Sequence, residues 1–146
     1  MPQNYKQEPV KMEDKDKTFA ELDKYIEIHR ENREKSMEFV EYLYKLMDKY
    51  KVEKASEIYK TANITKQCWS GIISGKSIPS LNTCIRIALA MKLTNHECKY
   101  LLKKAGYTLS SANEFGLVIR FCFEKGIYDI YDVSELLESR GIYDFS

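Results

Sequence analysis

Residues 52–93 read VEKASEIYKTANITKQCWSGIISGKSIPSLNTCIRIALAMKL, and the punctuation of this stretch decides the fold. Ala55, Ile58, Tyr59 and Ala62 recur at helical spacing, which gives a short helix over about residues 53–61 a single apolar face. Ala62, Asn63, Ile64 and Thr65 then break the pattern. Asn63 tolerates a left-handed backbone. Thr65 can cap the next helix by accepting from an amide of its first turn. In that helix, over about residues 65–74, Trp69 and Ile72 face inward and Cys68 can join them. Lys66, Gln67, Ser70, Gly71 and Ser74 take the opposite side. Gly75 stands where a helix stops, Ser77 is a flexible link, and Pro79 prevents continuation. Ser80 opens a further helix in which Leu81, Cys84, Ile85, Ala88 and Leu89 share one face.

Two short helices around a tight break, followed by an amphipathic helix, form the layout of a helix-turn-helix, and that layout points to DNA. The outer face of the second helix is short and polar and carries no acidic residue. A major groove accepts such a face: lysine reads guanine edges or phosphate, glutamine reads adenine edges, and serine reads either.

These residues resemble the lambda-repressor-like, or Xre-type, helix-turn-helix DNA-binding domains. Ala55 and Ile58 match the first helix of that motif, and Asn63-Ile64-Thr65 match its turn. Trp69 and Ile72 match its apolar core positions. Gly75-Lys76, Pro79-Ser80-Leu81, Thr83 and Ala88 match the stretch that closes the domain. The likeness covers about residues 37–105, roughly half the chain. From Tyr42 to Asp144 the chain also resembles a bacterial helix-turn-helix region found alone or fused to other domains, macro domains among them. The resemblance implies that Thr65, Lys66, Gln67 and Ser70 read bases, with Gly71 beside them. Gly71 departs from the family, which often has a long polar side chain there. Its absence implies either lost readout or a closer approach of backbone to DNA. Trp69 is bulkier than the family's usual choice and is read as a packed aromatic rather than a base-stacking one.

Charge is distributed unevenly along the chain. Residues 1–50 hold 10 basic and 12 acidic side chains, a net of −2. Residues 51–110 hold 10 and 3, a net of +7, and residues 111–146 hold 3 and 7, a net of −4. The basic excess therefore falls on the segment with the motif, where phosphate binding needs it. Lys54, Lys60, Lys76 and Lys92 are the phosphate candidates. Lys76 is the best placed, with Ser77 next to it.

The flanks also scan as helices. Thr18-x-x-Glu21 has the form of a capping box and precedes Phe19, Leu22, Tyr25 and Ile26 on a narrow stripe. This predicts a helix over about 18–32 that packs on the domain, pairs with a second subunit, or frays. Ser36 is expected to cap the next helix, with Phe39, Val40, Leu43, Leu46, Met47 and Tyr50 on its apolar face. Thr94-x-x-Glu97 forms a second capping box ahead of Cys98, Leu101, Leu102 and Ala105. Ser111-x-x-Glu114 is expected to open a helix with Phe115, Val118, Ile119, Cys122 and Phe123 inward, ending at Gly126. A last helix carries Val133, Leu136 and Leu137. The expected organisation is a disordered arm over 1–17, a helix and linker over 18–35, a helix-turn-helix domain over 36–106 and a helical extension over 107–146. The fold class is all-α: a five-helix lambda-repressor-like domain flanked by one N-terminal and two C-terminal helices.

Other chemistries find little support. No stretch approaches the apolar length of a membrane span, and the N-terminus has no apolar core of a secretion signal. The four cysteines, Cys68, Cys84, Cys98 and Cys122, lack paired spacing and read as thiols in a reducing cytosol. Gly71 to Ser77 resembles a phosphate loop, but three residues separate its glycines instead of four, and a helix precedes it rather than a strand. His29 and His96 have no metal-ligand spacing. No catalytic residue, metal or cofactor is expected. The expected function is a cytoplasmic, sequence-specific transcriptional regulator bound to double-stranded DNA, with a homodimer or a protein partner at the C-terminal helices as further assemblies. The alternative is an interaction module of the same fold, adaptor- or antitoxin-like in a phage-defence setting, that does not read bases. RNA binding through the basic face is a third, weaker reading.

Overall fold

A computed structural model describes residues 7–146. Among these residues the chain is all-α, with seven helices and no strand: α1 (Lys15–Lys49), α2 (Ala55–Thr61), α3 (Lys66–Ile73), α4 (Leu81–Ala90), α5 (Asn95–Lys104), α6 (Glu114–Lys125) and α7 (Ile130–Glu138). None of them is long and apolar enough to cross a membrane. The chain divides into two units, Met1–Glu31 and Asn32–Ser146.

In the first unit the helix starts earlier than its sequence suggests. The Asp14 carboxylate accepts from the Lys17 amide at 3.0 Å. Thr18, expected as the cap, instead donates its hydroxyl to the Asp14 carbonyl at 3.0 Å. Aspartate wins because its side chain reaches the free amides of the first turn. Residues 15–17, expected in a disordered arm, are therefore helical. Residues 7–12 carry no regular structure, and the rest of the arm, 1–6, lies outside the described residues.

The expected linker before Ser36 is not present, because α1 is one helix of 35 residues. Ser36 is buried and does not cap. Its hydroxyl donates to the Asn32 carbonyl at 3.0 Å, so the helix satisfies it internally. Residues 31–38 contain neither glycine nor proline, so nothing there interrupts helical propagation.

In the second unit α4 is the central element. Thr83, Cys84, Ile85, Ile87, Ala88 and Leu89 are all buried, more than one helix face can hold, and α2, α5 and α7 each pack against it. From α1, Phe39, Val40, Leu43 and Leu46 are buried in the same core. The extension α6–α7 belongs to this unit too. α6 packs on α5 and α7 on α4, which buries Ile119, Cys122, Phe123, Ile130, Val133 and Leu137. Burial pushes the Cys98 thiol up to about 12 and the Cys122 thiol to about 11, and it raises Cys84 as well. These three are inert thiols. Cys68 is exposed, so it does not join Trp69 and Ile72.

The first turn of α6 has a tighter cause than its sequence pattern shows. Asn113, not Ser111, is the cap, accepting from the Gly116 amide at 2.8 Å. A Cβ on Gly116 would lie 2.0 Å from the Ser110 carbonyl oxygen. Only glycine lets the preceding loop lie this close to the helix. Gly116→Ala is expected to cost about 1–3 kcal/mol through forced movement of backbone. Urea unfolding monitored by circular dichroism measures it, and an unchanged midpoint would refute the contact.

Candidate nucleic-acid interface

The α2–α3 connection follows local sequence closely. α2 ends at Thr61 and Asn63 adopts a left-handed backbone, φ 57°. That turn lets the Ile64 amide donate to the Tyr59 carbonyl at 2.8 Å and drops the Ile64 side chain into the core. Thr65 caps α3, its hydroxyl accepting from the Cys68 amide at 3.1 Å. One turn further on, Trp69 and Ile72 are buried. The Trp69 indole lies 5.9 Å from the Tyr59 ring, so an aromatic pair ties α3 to α2. Gly75, at φ 75°, reverses the chain after α3 as a glycine at this position can.

Burying Trp69 and Ile72 turns the other side of α3 outward. Lys66, Gln67, Ser70, Gly71, Ser74 and Lys76 together line an open concavity of about 600 Å³. Four of the five residues expected to read bases are in that set; Thr65 is exposed beside it as the helix cap. Lys76 joins them, and Ser77 follows on the exposed surface. The structure does not bring Lys54, Lys60 or Lys92 to this concavity. Lys54 precedes α2, Lys60 sits in its last turn, and Lys92 lines a separate depression with Tyr50 and Glu57.

The electrostatics of this face are simple. No acidic residue stands in the first turn of α3, so the partial positive charge of the helix start is unopposed. The ion pairs among the described residues are Glu27–Arg30, Lys49–Glu97, Arg120–Glu124 and Glu114–Arg140. None of them uses Lys54, Lys60, Lys66 or Lys76. Glu97, one of only three carboxylates between residues 51 and 110, is buried and faces Lys49 and Tyr50.

Gly71 has a structural cause. Its carbonyl accepts from the amides of Lys76 at 3.1 Å and Ser77 at 3.3 Å and from the Ser74 hydroxyl at 3.1 Å. A Cβ there would lie 3.2 Å from the Ser77 hydroxyl. The chain folds back over this residue, and an added side chain would press on the Ser77 hydroxyl, which must shift by a few tenths of an ångström.

Sequence reasoning missed Arg86. Its Nε donates to the Ala62 carbonyl at 3.0 Å and its Nη1 to the Phe145 carbonyl at 2.8 Å. One guanidinium thus ties the α2–α3 turn to the C-terminal segment. Burial lowers its proton affinity, yet a guanidinium keeps its charge under such a shift. The available signal was an arginine alone inside the apolar helix LNTCIRIALA, where a charged group must find buried acceptors.

The phosphate-loop likeness has no geometric support: Gly71 lies within α3, and no strand precedes it among the described residues. Nor do any three His, Cys, Asp or Glu side chains among the described residues gather as a metal site. No protein family, curated protein or solved structure matches the chain.

Proposed function

We propose that this chain is a sequence-specific double-stranded DNA-binding protein of lambda-repressor-like architecture, a transcriptional regulator that inserts α3 into the major groove. One observation carries the reading. A capped helix braced by a buried tryptophan presents lysine, glutamine and serine side by side on an exposed face without carboxylates. In this mechanism Gln67 and Ser70 meet base edges, and Lys66 meets a guanine edge or a phosphate. Lys76 and the amides near Thr65 hold the backbone. Lys54 and Lys60, outside the concavity, add long-range attraction at most.

Two features bear on the interaction-module reading, the missing side chain at Gly71 and the amphipathic extension. Each has a local explanation: the return of the chain over Gly71, and the packing of α6 and α7 on α5 and α4. Neither requires a protein partner.

Selection of binding sites from a random duplex pool, followed by fluorescence anisotropy at two salt concentrations, tests the proposal. Gln67→Ala is expected to weaken the selected site by roughly 1–3 kcal/mol and leave random duplex unaffected. Lys76→Ala is expected to weaken both alike and to flatten the salt slope by about one unit. Equal losses for Gln67→Ala on both duplexes would remove it from base reading. No enrichment from the pool, with no binding at low salt, would favour the interaction module. Preference for single-stranded RNA would favour the third reading.

A further inference from the structure

The α2–α3 turn has a twin at the end of α4. Asn63 and Lys92 are both left-handed non-glycine residues, at φ 57° and 52°, and the two turns close in the same way. The Ile64 amide donates to the Tyr59 carbonyl at 2.8 Å, and the Leu93 amide to the Ala88 carbonyl at 3.1 Å. The first turn alone is held by Arg86. Carbonyls of a last helical turn lack intrahelical donors, and Ala62, at the end of α2, is fully buried. Its carbonyl needs a donor from elsewhere in the chain, and Arg86 Nε supplies one at 3.0 Å.

The same guanidinium has a second partner. Its Nη1 donates to the Phe145 carbonyl at 2.8 Å. Phe145 follows α7 in the chain and is 2% exposed, with its ring 6.3 Å from that of Phe115 on α6. Burial of the ring thus seats the carbonyl that Nη1 meets. A guanidinium is a planar, rigid fork, so aiming Nη1 at Phe145 also aims Nε at Ala62. We propose that Arg86 is a positioning residue for the α3 face, and that the buried Phe145 sets its aim. Arg86 fixes the pivot at which α3 leaves α2, and with it the direction in which Lys66, Gln67 and Ser70 point. The inference deepens the proposed function and rests on that reading for its binding measurement.

Amide hydrogen exchange by nuclear magnetic resonance on the full chain tests it, with the Leu93 amide as internal control. The probes are Ile64 and the Trp69 amide, which donates to the Thr65 carbonyl at 3.0 Å. Arg86→Met is expected to speed exchange at both by about tenfold or more, and at Leu93 by less than about twofold. Phe145→Ala leaves Arg86 in place and is expected to act in the same direction; it decides alone where Arg86→Met does not fold. Arg86→Lys keeps the charge but has a methylene where Nε stands, so it is expected not to restore Ile64. Equal acceleration at Ile64, Trp69 and Leu93 means a general loss of stability and overturns the proposal. Unchanged exchange at Ile64 in Phe145→Ala overturns it too, and full protection in Arg86→Lys overturns the role of the fork. On a duplex site selected by the wild-type chain, Arg86→Met and Phe145→Ala are expected to lose about fivefold or more in affinity, with random duplex changed by less than about twofold. Undiminished binding to the selected site overturns the link to the α3 face. A wild-type chain that selects no site sinks the proposed function, and the exchange rates then decide this inference by themselves.

Discussion

Replacing Trp69 by alanine is expected to lower folding stability by about 3–5 kcal/mol, the cost of emptying a buried aromatic site. The indole fills the space between α3 and α2 beside Tyr59, and only 6% of Trp69 is exposed. A domain of this size holds about 5–15 kcal/mol in total, so the loss is a large fraction of the whole. Under the proposed function, nucleic-acid affinity is expected to fall with it, because Lys66, Gln67 and Ser70 keep their arrangement only while α3 is seated. Trp69→Phe keeps most of the volume and is expected to recover most of both losses. Trp69 is the only tryptophan in the chain, so far-ultraviolet circular dichroism is the right probe of unfolding. A stability loss for Trp69→Ala below about 1 kcal/mol would mean that the ring is not a brace.

Acid should unfold the second unit through Glu97. Burial raises the pKa of this carboxyl, but its partners outweigh burial: Lys49 Nζ at 2.7 Å, the Tyr50 hydroxyl and the Thr94 amide at 3.0 Å. The balance holds Glu97 at about 2, below the ordinary 4.5. A depressed carboxyl stabilises the fold fully above its unfolded value. The contribution therefore fades as pH falls from about 4.5 through about 2, and the gap corresponds to about 3 kcal/mol. The same side chain closes the capping box of α5, so protonation loosens that helix start and its link to the end of α1 together. Glu97→Gln is expected to lose stability at pH 7 and to lack this part of the acid transition. Denaturant midpoints of both proteins between pH 7 and pH 2.5 measure it. Parallel curves for the two would show that Glu97 does not carry the acid sensitivity.

Much of the candidate site was legible in the sequence. Asn63, Thr65, Trp69, Ile72 and Gly75 act within one or two turns of where they stand, so residue type and spacing announced the turn, the cap, the buried face and the stop. Turning Trp69 and Ile72 inward then required Lys66, Gln67 and Ser70 to face out. Competing local signals were harder to rank. Thr18 and Ser36 both had the form of helix caps, but Asp14 took the first role and uninterrupted helical propensity removed the second. Ser111 lost to Asn113 for a similar reason: several polar residues stood before α6, and geometry chose among them.

What the sequence determined by itself is the order of the helices, their apolar faces and the polar outer side of α3, because the backbone's own period and its free end groups impose these over a few residues. Tertiary structure alone decided that α6 and α7 fold onto α5 and α4. It also decided that Glu97 receives Lys49 from 48 positions away, that Arg86 spans 24 positions to Ala62 and 59 to Phe145, and that Gly116 must be bare beneath Ser110. The Lys49 and Arg86 contacts join residues far apart along the chain, so only the packing of apolar faces in the second unit brings them within reach, whereas Gly116 and Ser110 meet because the loop turns back closely on the start of α6.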